Sequence, residues 1–193
     1  MTQVALAELI AGIRAGKVAS FPTDTVPALA ALPENAELIF ALKQRRMDKP
    51  LILMGAKSSD LWGFVAGSIE EQQIWQQTAA LYWPGALTLV LPASTRVPQS
   101  MNPTDPSTIG LRVPNSAIAR NILAQTGPLA TTSANLSGQP PLATIAQIAA
   151  QFPDVLTSMQ AATNDGIGIP STVAKWIGNG WEILRQGAVE LKF

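Results

Sequence analysis

The segment Lys43-Gln-Arg45-Arg46-Met-Asp48-Lys49 gathers four cations within seven residues, directly before the apolar run Leu51–Met54. In open α/β sheets ligands collect where strands meet loops. Cations placed there can clamp a phosphate, arginine as a bidentate fork and lysine as a point charge. The same spacing suits a solvated helix end whose charge complements the helix dipole, and spacing alone favours that plainer reading. A second segment, Thr131-Thr-Ser133-Ala-Asn135-Leu-Ser137-Gly138, groups hydroxyls, an amide and a glycine. Such a run can cradle an anion with hydroxyls and backbone N–H groups, or form an ordinary polar turn. It matches neither the P-loop nor the dinucleotide-binding glycine pattern. Thr23-Asp24-Thr25 follows a short apolar run and could present hydroxyls and a carboxylate to a small polar ligand, or could simply cap a turn. Arg112 lies inside the apolar stretch Ile109–Val113. A buried guanidinium is costly unless an anion answers it, and that anion is either a ligand carboxylate or an internal acid. Ser171-Thr172-Val173 and, further on, Arg185-Gln-Gly187 complete the polar segments that interrupt apolar runs.

The composition narrows the chemistry these residues can do. The 193 residues contain no histidine and no cysteine. That excludes Ser-His-Asp triads, Cys-His pairs, disulfides and the usual zinc sites. Hydrophobic residues make up 47% and charged residues 13%, which argues for a large core and against disorder. The net charge is zero, so any contact with RNA must come from a local patch rather than a generally basic surface. The first residues, MTQVALAELIAGIRAGK, read as an amphipathic helix rather than a signal peptide. No apolar run approaches about twenty residues, the length of a membrane span. The expectation is a cytoplasmic protein without membrane association, built as one domain over residues 1–193.

Elements must hold these residues in place. Val4, Leu6, Leu9, Ile10 and Ile13 recur at helical spacing up to Gly16, a helix-ending residue. Strands are expected at Val18–Phe21, Leu51–Met54, Ala86–Leu91, Thr108–Val113 and Leu129–Thr131. Helices are expected after Pro33-Glu34-Asn35, near 58–62, over 68–82, from Ser116 to about Gln125, and over Thr144–Phe152. Residues 93–107, rich in Pro, Ser, Thr and Asn, read as a mobile loop. Trp83-Pro84-Gly85 reads as a packed turn that serves the fold. Thr172–Trp176 and Trp181–Leu184 flank Gly178-Asn179-Gly180, a strong hairpin signal. Strands and helices alternate, with a hairpin near the end, which argues an α/β fold with a mixed sheet.

Taken in order, these segments resemble the YrdC-like family of threonylcarbamoyl-AMP synthases. The resemblance runs from Val18 to Val189. It rests on Pro-Thr-acid-Thr at 22–25, Lys-x-Arg at 43–45 with Lys49-Pro50-Leu51, and Trp-Pro-Gly-x-Leu-Thr at 83–88. Arg-Val-Pro at 112–114, Ser-Ala-Asn-Leu-Ser-Gly at 133–138, Ser-Thr-Val at 171–173 and Arg-x-Gly at 185–187 complete it. The resemblance implies a twisted mixed parallel/antiparallel sheet flanked by helices, with a large concave basic cavity. It implies an enzyme that joins L-threonine, bicarbonate and ATP into threonylcarbamoyl-AMP, releasing pyrophosphate, with Mg²⁺ accompanying ATP and no metal held by the chain itself. A tRNA-modifying transferase complex would then use the product, and double-stranded RNA or tRNA is a further partner that the family suggests. By the same resemblance, Lys43, Arg45, Lys49, Ser133, Asn135 and Arg185 would bind ATP, with Lys43, Arg45, Ser133 and Asn135 serving catalysis. Thr23, Thr25, Arg112, Thr131 and Ser171 would hold threonine, Arg112 facing its carboxylate and Asp24 shaping that end. The chain departs from the family pattern at Pro27, Ala28 and Met54, where Tyr, Gly and His are common. It departs also at Arg46 and Gln186, where proline is usual, and at Pro141, which replaces a frequent Ser. These departures fall mainly at the threonine end. They leave two other readings in view: ATP-dependent carbamoyl chemistry on a different amino acid, and an RNA-binding or regulatory paralogue.

Overall fold

A computed structural model describes residues 3–158 and 166–192. Its described strands are β1 (Gln3–Val4), β2 (Ala19–Phe21), β3 (Ala28–Ala31), β4 (Ile52–Met54) and β5 (Leu87–Pro92), followed by β6 (Thr108–Arg112), β7 (Leu129–Ser133), β8 (Leu156–Ser158), β9 (Thr172–Trp176) and β10 (Trp181–Arg185). The helices are α1 (Leu6–Arg14), α2 (Ala36–Lys43), α3 (Ile69–Tyr82), α4 (Ala117–Thr126) and α5 (Ile145–Gln151). The strands join in one sheet of order β1-β8-β2-β3-β7-β4-β6-β5-β9-β10. Parallel pairs (β4 with β6, β5 with β9) alternate with antiparallel ones (β3 with β7, β4 with β7, β5 with β6), so the sheet is mixed as expected.

Local chemistry explains most of the elements. Ser68 opens α3 by accepting from the Glu71 N–H, while the Glu71 carboxylate accepts from the Ser68 N–H, a reciprocal cap. Thr144 and Gln147 do the same for α5, and Ser116 caps α4. Gly16 stands at φ +85°, the left-handed conformation that closes α1. The stretch near 58–62 forms short 3-10 turns, Ser58–Asp60 and Trp62–Phe64, rather than an α-helix. Three strands have no sequence signal. β1 and β8 are two and three residues long. β3 is Ala-Leu-Ala-Ala, a composition that disfavours strands. It is a strand because β2 and β7 flank it and all four residues are buried. Val4, read as part of the first helix, belongs to β1 instead.

The two faces of the sheet differ, because side chains alternate along each strand. Leu29, Leu53, Leu89, Leu111, Ala130 and Ala174 point to one face and join Ile39, Phe40, Trp75 and Ile148 from α2, α3 and α5 in the larger core. On the other face α1 and α4 cover one end, where Leu9, Ile10, Ile13, Ile122 and Leu123 pack on Ala19, Phe21, Ala30 and Leu129. That helix layer stops partway across the sheet. The uncovered remainder of the face is the floor of a cavity. No helix among the described residues is long and apolar enough to cross a membrane.

Candidate active site

A cavity of about 470 Å³ occupies the uncovered floor, a size suited to a small-molecule substrate. Strand register lays out its base. Thr131, Ile52, Gly110, Val90 and Lys175 are successive cross-strand partners over β7, β4, β6, β5 and β9, and all five line the cavity. At the centre of the row sits Gly110. A Cβ there would meet Ile52 Cγ2 at 2.8 Å, so glycine keeps the floor open. One step along the strands, Met54 pairs with Arg112 and Thr88 with Val173.

Arg112 is 4% exposed and answered from within the chain. Its Nη2 donates to Asp24 Oδ1 at 2.7 Å, its Nη1 to Thr25 Oγ1 at 2.9 Å and its Nε to the Gly85 carbonyl at 3.1 Å. The Trp83-Pro84-Gly85 turn thus serves the site as well as the fold. Burial pulls the guanidinium pKa down, the Asp24 carboxylate holds it up, and Arg185 adds a smaller lowering. Among the described residues, two of the guanidinium's five N–H donors have no partner, enough for one carboxylate. Thr23 Oγ1 donates to the Val26 carbonyl at 2.8 Å and lies 3.1 Å from Thr25 Oγ1, fixing both hydroxyls at this end.

Arg185 reaches the cavity through a register shift. Trp181, Glu182 and Ile183 pair regularly with Trp176, Lys175 and Ala174, but Arg185 pairs with Val173. Leu184 is therefore an extra residue, a bulge of the kind that re-aims a side chain. In an unshifted register Leu184 would pair with Val173, and Arg185 would sit opposite Thr172 and point to the other face. As it stands, Arg185 lines the cavity, with Nε and Nη2 donating to the Ser171 carbonyl at 3.1 and 2.7 Å. Burial lowers its pKa. The Ser171 hydroxyl lies 2.9 Å from Thr88 Oγ1. Gly187 closes the Arg-x-Gly motif by donating its N–H to Thr172 Oγ1 at 3.0 Å. A Cβ on Gly187 would come within 2.3 Å of the Pro170 carbonyl oxygen and 2.4 Å of the Ser171 carbonyl carbon.

The basic segment divides its cations. α2 ends where Gln44 adopts φ +49°, and the chain turns so that Arg45 N–H donates to the Phe40 carbonyl at 2.9 Å. Arg45 lines the cavity, held by the Lys49 and Pro50 carbonyls at 2.8 and 3.0 Å. Lys43 faces the other way. It is 1% exposed, and its ammonium donates to the Ser133 carbonyl and, at 3.1 Å, to Asn135 Oδ1. Burial, helped by the Arg45 charge, lowers its pKa from 10.5 to about 7. Ser133 Oγ also donates to Asn135 Oδ1, at 2.5 Å, while Asn135 Nδ2 donates to the Leu136 and Gln139 carbonyls. Lys43 and Asn135 thus form a brace behind the wall that Ser133 presents to the cavity. Lys49 is exposed, and it is its carbonyl that Arg45 uses.

Eight of the expected residues therefore surround one cavity: Thr23, Thr25, Arg45, Arg112, Thr131, Ser133, Ser171 and Arg185. Lys43, Lys49 and Asn135 stand outside its lining. Met54 and Ala28, two of the departures, do line it, while Pro27 contributes its carbonyl, which accepts the Ala134 N–H at 2.8 Å. The stretch 93–107 forms part of the wall. Met101 is fully buried, the Met101 carbonyl accepts the Leu51 N–H at 2.9 Å, and Thr104 Oγ1 donates to the Met47 carbonyl. Asn102, Thr104 and Asp105 from this stretch, with Asp48, Thr88 and Lys175, line the cavity without having been singled out in the sequence. Lys175 had a signal of the same kind as Arg112: one cation inside an apolar strand. Among the described residues no group of three or more Asp and Glu side chains is placed to hold a metal ion.

Comparison with known proteins agrees with this arrangement. The Sua5/YciO/YrdC family model, described as telomere recombination, matches residues 11–187. A threonylcarbamoyl-AMP synthase of Vibrio campbellii is 32% identical over 184 residues, 93% of this chain and 97% of that protein. P. abyssi Sua5 complexed with L-threonine superposes with a TM-score of 0.82 at 32% identity, over 94% of this chain; the chain spans 54% of the length of that longer protein. E. coli YciO shares the fold, with a TM-score of 0.82 at 23% identity over 97% of this chain and 91% of that one. The mixed sheet flanked by helices is thus the fold of P. abyssi Sua5 and E. coli YciO. The chain belongs to the Sua5/YciO/YrdC family.

Proposed function

We propose that this protein is an L-threonylcarbamoyladenylate synthase. One observation carries the reading: the segments that resemble the family, dispersed from Thr23 to Arg185, converge on one cavity lined by Arg45, Arg112 and Arg185. The threonine carboxylate takes the two free donors of Arg112, beside the Thr25 and Ser171 hydroxyls, and Thr131 faces the bound amino acid from the floor. Threonine's amine condenses with bicarbonate to the carbamate, a C–O bond breaking as water leaves, and a carbamate oxygen then attacks the α-phosphorus of ATP. The bond from that phosphorus to the β-phosphate oxygen breaks, and pyrophosphate leaves with the electron pair. No protein nucleophile is required, which suits a chain without histidine or cysteine. Catalysis of this kind rests on positioning and charge neutralisation. Arg45 and Arg185 neutralise the phosphates. The Ser133 hydroxyl turns its proton from Asn135 Oδ1 to a phosphate oxygen, while Lys43 holds the Ser133 carbonyl in place.

Mg²⁺ accompanying the triphosphate would share its charge, and Asp48 and Asp105, which line the cavity, are the carboxylates that would hold it. The product passes to a tRNA-modifying transferase complex. We place the protein in the cytoplasm as a single domain spanning residues 1–193.

The assay is pyrophosphate release from ATP and bicarbonate with each amino acid in turn, with the adenylate identified by mass. Threonine-dependent release is expected, and Arg45→Ala should lower kcat about 100-fold. Release only with another amino acid would move the substrate assignment. A near-normal rate in Arg45→Ala would remove that residue from the phosphate site. Threonine-independent binding of double-stranded RNA without turnover would favour the regulatory reading instead.

A further inference from the structure

Four cations line the cavity: Arg45, Arg112, Lys175 and Arg185. Three are fixed by the protein. Arg112 is tied to Asp24, Thr25 and the Gly85 carbonyl, Arg45 to the Lys49 and Pro50 carbonyls, and Arg185 to Ser171. Lys175 differs. Among the described residues it makes no hydrogen bond and no ion pair, although it is half-buried on the cavity floor. It occupies the end of the central row, opposite Val90 on β5 and Glu182 on β10. Two residues before it on β9, Val173 pairs with Arg185. Its ammonium is also near enough to Asp105 to help hold that carboxyl below the usual range, behind the larger effect of the Ser107 hydroxyl.

A fixed guanidinium suits a group that stays in one place, such as a carboxylate or the phosphate that is retained. An ammonium on a flexible stem, with no hydrogen bond or ion pair among the described residues and only a weak attraction to Asp105 to give up, suits a group whose position and charge change during the reaction. In the adenylation described above only one group does both. When the bond between the α-phosphorus and the bridging oxygen breaks, the electron pair goes to the pyrophosphate, which gains charge and moves away. We propose that Lys175 is a binding residue for the leaving pyrophosphate, a role that rests on the adenylation reading and adds a residue to it. Lys175 meets the β- and γ-phosphates between Arg185 and the Asp105 wall. Its charge then follows the product towards the mouth of the cavity.

Binding of inorganic pyrophosphate and of AMP to the purified protein, measured by calorimetry, separates this role from a structural one. Lys175→Met should weaken pyrophosphate roughly tenfold or more, the loss of one charged hydrogen bond. AMP affinity should stay as in the wild type, and Lys175→Arg should recover most of the pyrophosphate affinity. Equal pyrophosphate affinity in wild type and Lys175→Met overturns the proposal, as does a parallel loss of AMP or a wild type that does not bind pyrophosphate. Threonine-dependent turnover is tested on its own. A wild type that binds pyrophosphate through Lys175 yet releases none from ATP would overturn the proposed reaction and leave this site standing.

Discussion

The buried ammonium of Lys43 makes stability depend on pH in a window where little else in the chain titrates. Its pKa is 10.5 in the unfolded chain and about 7 when folded, because burial and Arg45 disfavour the charge. Between these values the unfolded chain binds a proton that the folded chain has released. Stability therefore rises with pH across the window and is lost as pH falls towards 7. One group contributes at most about 1.4 kcal/mol per pH unit. From pH 7.5 to 9.5 that is a ceiling of about 2.5 kcal/mol, and water reaching the ammonium through the neighbouring cavity reduces it to about 1–2 kcal/mol. Urea unfolding at both pH values should show a midpoint shift of around 1 M. The chain contains no histidine and no cysteine, so the window is nearly free of other side-chain titrations. Lys43→Met keeps the length of the side chain and removes the proton, and should flatten the profile. A flat profile in the wild type, or an unchanged slope in Lys43→Met, would refute the argument.

Two further outcomes follow from the site's geometry. Asp24→Ala removes the carboxylate that answers the buried Arg112 and should cost about 3 kcal/mol of stability, with a raised KM for threonine; denaturation with kinetics checks both, and a loss under about 0.5 kcal/mol would mean that solvent already screens the pair. Arg185→Met removes the cation that the Leu184 bulge places at the cavity. Turnover should fall roughly 100-fold while circular dichroism stays native, and near-normal turnover would show that Arg185 does not neutralise the phosphates.

Much of the site was legible in the sequence because its parts are local. Arg112 interrupts an apolar strand, while Thr23-Asp24-Thr25 and Ser171 stand just outside the ends of one. The caps at Ser68, Ser116 and Thr144 and the hairpin at Gly178–Gly180 were legible for the same reason. Features set by pairing between distant segments were not. β3 is a central strand made mostly of alanine, and nothing local distinguishes it from a helix or loop. The Leu184 bulge exists only relative to β9. Lys43 and Arg45 differ by two residues in sequence, yet one enters the cavity and the other the wall. That split depends on the left-handed turn at Gln44, a residue with no glycine-like signal. Lys175 is one cation inside an apolar strand, a local signal, but its place on the cavity floor is set by the pairing of β9 with β5.

Arg185 stands on β10, the outermost strand, paired on one side only and exposed along most of its length. The remaining nine strands do not need it to stay paired. Edge elements with little buried contact open at lower free energy than the core. Warming therefore loosens the final hairpin first, and with it the one cation that the bulge brings into the cavity. Heat inactivation and global melting then become separate events, with the upper temperature limit for activity set at the rim of the sheet while the interior is still intact.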